Sequence, residues 1–63
     1  MRNDIKRLRK ALGLRQEDLA QRCGVSRQTI VAVENAKYDP TLPLALRLAR
    51  ELGTTVEELF HPE

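Results

Sequence analysis

Apolar residues recur along the chain at helical spacing, three or four positions apart, and nowhere alternate convincingly at the period of a strand. Ile5, Leu8 and Leu12 form a first stripe. Leu19, Ala20 and Cys23 form a second, and Ile30 and Val33 a third. Leu44, Ala45, Leu48, Ala49 and Leu52 form the fourth and widest; Val56, Leu59 and Phe60 make a short fifth. The punctuation agrees. Gly13, Gly24 and Gly53 each follow a periodic segment, where a helix C-terminus needs a left-handed residue. Asn3, Ser26, Thr41 and Thr55 each precede a segment and suit an N-cap, and Thr55 with Glu58 reads as a capping box. Pro40 marks a turn, and Pro43 falls in a first helical turn, where its missing N–H costs little. The pattern predicts an all-α fold of five short helices: Asp4–Leu12, Gln16–Cys23, one opening at Ser26, Leu42–Leu52, and a short one after Thr55. Order is expected to end at Pro62.

A chain of 63 residues makes one domain, spanning 1–63 with its core over about 3–60. It buries only about 60% of its unfolded surface, and a core of that size supplies roughly 3–5 kcal/mol. Hydrophobic residues at 41% and charged residues at 32% are a globular composition. There is neither a membrane-length apolar run nor the apolar segment of a signal peptide, so a soluble, cytoplasmic protein is expected. One cysteine forms no internal disulfide, and Cys23 with His61 cannot make a four-ligand zinc site. No metal or other cofactor is expected. Cys23 reads as a small hydrophobe and His61 as an exposed tail residue. No Ser, His and Asp set suggests catalysis, and Glu57 and Glu58 read first as a cap and a solvated face. The chain is therefore read as a non-enzyme without a small-molecule substrate. The net charge of +2 hides an asymmetry. Residues 1–15 carry six basic groups (Arg2, Lys6, Arg7, Arg9, Lys10, Arg15) against Asp4, while residues 39–63 carry a net −3. Such a chain can turn a positive face to a polyanion.

The stretch from Gln16 to Glu34 carries most of the information. One helix ends at Gly24 and the next opens at Ser26, a connection too tight for antiparallel packing, so the two must cross steeply. Ala20 is small enough for a close crossing, Val25 plugs the turn, and Ile30 and Val33 anchor the second helix inward. This is the spacing of a helix-turn-helix that sets a helix into the major groove of DNA.

These residues resemble the Cro/C1-type, or XRE-like, phage-repressor domain. The matches are Gln16, Ala20, Gly24-Val25-Ser26, Gln28-Thr29-Ile30, Val33-Glu34, the run Asn35 to Pro40, Gly53, and Glu57-Glu58-Leu59-Phe60. The resemblance implies a DNA-binding transcriptional regulator, acting as a repressor by occupancy, bound as a homodimer to a short palindrome in double-stranded DNA. It places Arg27, Gln28 and Thr29 against base edges, with Val31 and Ala32 a turn further on. It places Gln16, Ser26, Asn35, Lys37 and Tyr38 on phosphates. It sets Arg9 beside Glu34 and near phosphate, which leaves a structural ion pair and a phosphate contact both open for Arg9. A further protein partner from an adjacent gene fits an antitoxin or controller version of the same fold. A protein-interaction module that keeps the fold without DNA binding is the alternative from another class.

Three departures from the family pattern stand out. Arg15 replaces the usual Ser, Thr or Asn N-cap, a loss of about 1 kcal/mol, and is expected to reach phosphate instead. Ala36 replaces the glycine that closes the recognition helix, so Asn35 is expected to adopt the left-handed conformation. Val31 and Ala32 replace longer polar groups. Leu46 lies off the main stripe of its helix, and Phe60 is the only phenylalanine. Both are expected at a twofold dimer interface, unless Phe60 closes the monomer core.

Overall fold

The computed structural model describes residues 1–62, and Glu63, the last of the acidic residues in the C-terminal charge tally, lies outside them. In chain order the elements are β1 (Arg2–Asn3), α1 (Ile5–Ala11), α2 (Gln16–Cys23), α3 (Arg27–Glu34), α4 (Leu42–Glu51), α5 (Val56–Leu59) and β2 (Phe60–His61). The five helices enclose one apolar core. Ile5, Leu19, Ile30, Val33, Leu48 and Leu59 are almost wholly buried in it, one or two from each helix. Each such side chain stabilises the fold by about 1.5–3 kcal/mol. Leu8, Cys23, Val25 and Val56 pack around this centre, half-buried. Leu12 does not: it is 55% exposed, because α1 stops at Ala11 and Leu12 already belongs to the turn into Gly13.

The helix starts are capped in three different ways. Ser26, Thr41 and Thr55 accept the N–H of the residue three ahead, at 3.2, 3.4 and 3.2 Å, as their side-chain oxygens predict. Thr55 does not complete a capping box, since Glu58 takes the Thr55 hydroxyl proton rather than the backbone N–H. The returning carboxylate occurs at α2 instead, where Asp18 accepts the backbone N–H of Arg15 at 2.8 Å. That bond satisfies the N–H of Arg15, while the Asp18 N–H gains no side-chain acceptor, because an arginine N-cap has none. Asn3 stands one position ahead of the N-cap of α1. Its Oδ1 accepts the Ile5 N–H (3.1 Å) and its Nδ2 donates to the carbonyl of Val33 (2.9 Å), tying the start of the chain to α3.

Four helices end alike, in a left-handed residue whose N–H and whose successor's N–H close back on the last turn. At α2 the left-handed residue is Gly24, φ +69°, and Val25 N–H reaches the Ala20 carbonyl at 3.0 Å. At α3 it is Ala36, φ +57°, with Ala36 N–H on Val33 and Lys37 N–H on Ala32. Asn35 keeps φ −88°, so the strain expected there falls on the alanine. The reason is register: the bonding pattern requires the positive φ one residue later than Asn35.

The strand pair is the element that the pattern does not predict. Arg2 faces His61 and Asn3 faces Phe60 in a two-residue antiparallel bridge, too short for any alternation to register. It draws Phe60 into the core, 6% exposed. Phe60 therefore closes the monomer and is no part of an exposed interface. It also removes His61 from the expected tail: His61 Nε2 lies 2.8 Å from Asp4 Oδ2. Arg7 approaches the same carboxylate at 3.3 Å.

Two outcomes follow from these ends. A left-handed non-glycine residue costs about 1–2 kcal/mol, partly offset because glycine loses more backbone entropy on folding. Ala36→Gly is therefore expected to stabilise the protein by roughly 0.5–1 kcal/mol, read as a raised urea midpoint at unchanged slope. The hydrogen bond from His61, aided by Arg7, holds the Asp4 carboxyl below its usual range. Its contribution to stability is complete at neutral pH and is lost as pH falls through that depressed value. Asp4→Asn is expected to flatten the acid-side decline in the urea midpoint below about pH 5.

Candidate nucleic-acid interface

The site is built on how α3 is held. Ile30 and Val33 are 1% exposed, so the opposite side of α3 must face outward. Ser26 Oγ accepts the Thr29 N–H and lies 3.0 Å from Thr29 Oγ1, so the first turn is rigid before any ligand arrives. Arg27 and Gln28 stand exposed on that turn, and Ser26 is exposed with them. Thr29, Val31 and Ala32 are half-buried. Their methyl groups therefore border the exposed pair rather than projecting beyond it. Past α3, Asn35, Lys37 and Tyr38 are all exposed on the loop that the Ala36 turn directs away from the core.

A buried polar cluster sits behind this surface and joins α1, α2 and α3. Arg9 Nε donates to Glu34 Oε2 at 2.6 Å, Nη2 to Glu34 Oε1 at 3.3 Å, and Nη1 to the carbonyl of Leu14 at 2.8 Å. The Arg9 side chain is 7% exposed and that of Glu34 2%. Gln16, the first residue of α2, donates its side-chain N–H to Glu34 Oε1 at 3.1 Å. The ion pair that the position of Arg9 implies is present, and it takes three of the five guanidinium N–H groups on Glu34 and Leu14. Gln16 is half-buried, one amide proton committed to Glu34, at a helix N-terminus whose free N–H groups attract anions.

Arg15 is exposed, and its guanidinium meets Asp18 at 3.2 Å. That bond lowers the Asp18 carboxyl below its usual range and raises the arginine. Cys23 lies half-buried on the inner side of α2. Burial, with the charge of Glu51 adding to it, pushes its thiol up, which keeps it protonated and unreactive at neutral pH. Among the described residues no group of His, Cys, Asp and Glu is placed to hold a metal ion. No helix among them is long and apolar enough to cross a membrane.

Away from α3, Leu46 is 53% exposed, as its off-stripe position predicts, and Leu42 is 67% exposed one turn earlier. They share an open apolar groove with Ala49 and Val56, with Arg50 and Glu57 on its rim. Leu42 escapes notice in the sequence because it opens its helix, yet its i, i+4 spacing from Leu46 carries the signal.

A rigid α2–α3 crossing with a capped, polar helix start turned outward defines a DNA-binding helix-turn-helix. The profile of the helix-turn-helix family matches residues 5–59, and the chain belongs to that family, in its XRE-type branch. It is a transcriptional regulator with a DNA-binding fold. An uncharacterised HTH-type transcriptional regulator of Methanocaldococcus jannaschii is 50% identical over 60 residues, covering 95% of this chain and 91% of its own. Another from Methanothermobacter thermautotrophicus is 54% identical over 61 residues, covering 95% and 88%. Among solved structures, the restriction-modification controller protein C.AhdI from Aeromonas hydrophila superimposes with a TM-score of 0.81 at 38% identity, covering 89% of this chain and 85% of its own.

Removing one partner of a buried ion pair leaves the other charged and unpaired, a loss of about 3–5 kcal/mol. That equals the roughly 3–5 kcal/mol available to a core of this size. Arg9→Met is therefore expected to leave the protein largely unfolded by circular dichroism. Arg9→Met with Glu34→Leu is expected to refold, since no orphan charge remains.

Proposed function

We propose that this protein is a sequence-specific regulator that binds a short inverted repeat as a homodimer and represses by occupying it. The observation that carries this reading is the first turn of α3, where Arg27 and Gln28 are exposed on a helix whose other side is wholly buried. Their chemistry suits base edges: arginine pairs bidentately with guanine and glutamine with adenine. The half-buried Thr29, Val31 and Ala32 suit contact with thymine methyls at the groove floor. Ser26, Gln16, Asn35, Lys37 and Tyr38 suit the flanking phosphates, which set register and supply salt-dependent affinity. Arg15 joins them by exchanging Asp18 for phosphate.

The homodimer is supported by the groove of Leu42, Leu46, Ala49 and Val56. Arg50 and Glu57 beside it are opposite in sign, so a twofold axis passing between them would set each against its complement. A controller role, in which the protein regulates a neighbouring gene, is favoured as a second reading by the likeness to C.AhdI, itself a restriction-modification controller protein.

The test is selection from a randomised duplex pool near physiological salt. The expected outcome is an enriched inverted repeat with half-sites about 34 Å apart, one turn of DNA. Absence of enrichment from folded protein would point instead to an interaction module. On the selected site, Arg27→Ala and Gln28→Ala should each lose about 1–3 kcal/mol and relax preference at one base pair. Lys37→Ala should weaken all sequences alike.

A further inference from the structure

The basic N-terminal run is more than a net charge, because the structure sorts its members. Arg9 is buried on Glu34, Arg7 pairs with Asp4 at 3.3 Å, and Arg15 pairs with Asp18 at 3.2 Å. Lys6 and Lys10 are exposed and have no acidic partner among the described residues. They stand at i and i+4, adjacent on one face of α1.

The placement of that face follows from Arg9. At about 100° per residue, Lys10 and Lys6 lie roughly 100° and 60° around α1 from Arg9, both on the same side. Ile5 and Leu8, which turn to the core, lie on the other side. Arg9 is the border between the two, and its guanidinium reaches Glu34 at the end of α3 and, through it, Gln16 at the start of α2. The lysine face of α1 therefore continues the surface that opens at the N-terminus of α2. Arg9 is sealed beneath it.

We infer that Lys6 and Lys10 are phosphate contacts which extend the DNA footprint along α1, outward of the buried Arg9. This rests on the DNA-binding reading above. The lysines act as point charges on flexible stems, so they add affinity without reading bases.

The experiment measures binding of a labelled duplex carrying the selected inverted repeat, and of a scrambled duplex, from about 50 to 200 mM salt. Each phosphate contact contributes about −0.9 to the slope of log affinity against log salt. Lys6→Gln with Lys10→Gln is expected to flatten the slope by about 1.8 per protomer on both duplexes. Each single change should give half of that, with base preference and melting temperature unchanged. An unchanged slope in the double variant, with wild-type protein binding normally, overturns the lysine contacts alone. A wild-type protein that binds neither duplex overturns the DNA-binding reading and the lysine contacts together.

Discussion

The bidentate pair between Arg9 and Glu34 is the constraint on which the arrangement of the first three helices depends. A core this small cannot fix three short helices by shape alone, since apolar contacts are tolerant of rotation and sliding. The guanidinium and carboxylate are not tolerant. They demand a planar fork at hydrogen-bond distance, and both are withdrawn from water. The Leu14 carbonyl takes a third guanidinium N–H and the Gln16 amide adds a donor to Glu34, so neither charge is left unpaired. No buried side-chain polar atom among the described residues lacks a partner. The cost of burying the charges is offset only because all four groups arrive together, which links local register to the global fold.

Much of this was legible in the sequence because it is local. Helix positions follow from i, i+3 and i+4 spacing, and their ends from residues with known capping chemistry. The α2–α3 crossing follows from a small residue, a glycine and an N-cap at fixed intervals. What escaped is non-local. A two-residue strand has no period, so the bridge that seats Phe60 and engages His61 could not be read. The fate of Arg9 depended on how deeply Glu34 is buried, which no spacing reveals. Intrinsic preference points to Asn35 for the left-handed residue at the end of α3, whereas the bonding register puts it at Ala36. In each case a contact between distant segments overruled a local preference.

The charge distribution gains meaning from the same pairing. The sequence suggests a single positive end, but neutralisation by Asp4, Glu34 and Asp18 divides it into scaffold and surface. Arginines take the geometric roles, where a planar fork is needed, and lysines remain in water. At the other end, Arg47 and Arg22 both serve Glu51 and tie α4 to α2, with Arg47 Nε also donating to the Arg22 carbonyl at 3.1 Å. Most of the arginine content is thus structural.

The bridge between Arg2–Asn3 and Phe60–His61 joins residues nearly sixty positions apart. It therefore governs the order of events on the ribosome. Translation proceeds at about 5–20 residues per second, so α1, α2 and α3 emerge seconds before Phe60 does. Until then Asn3 has no strand partner, Asp4 N–H has no Leu59 carbonyl, and a phenylalanine-sized gap stands open in the core. The nascent chain can form its helices early, but it acquires a closed core only when residues 59–61 have cleared the exit tunnel. The core is thus closed last, by the two ends of the chain together.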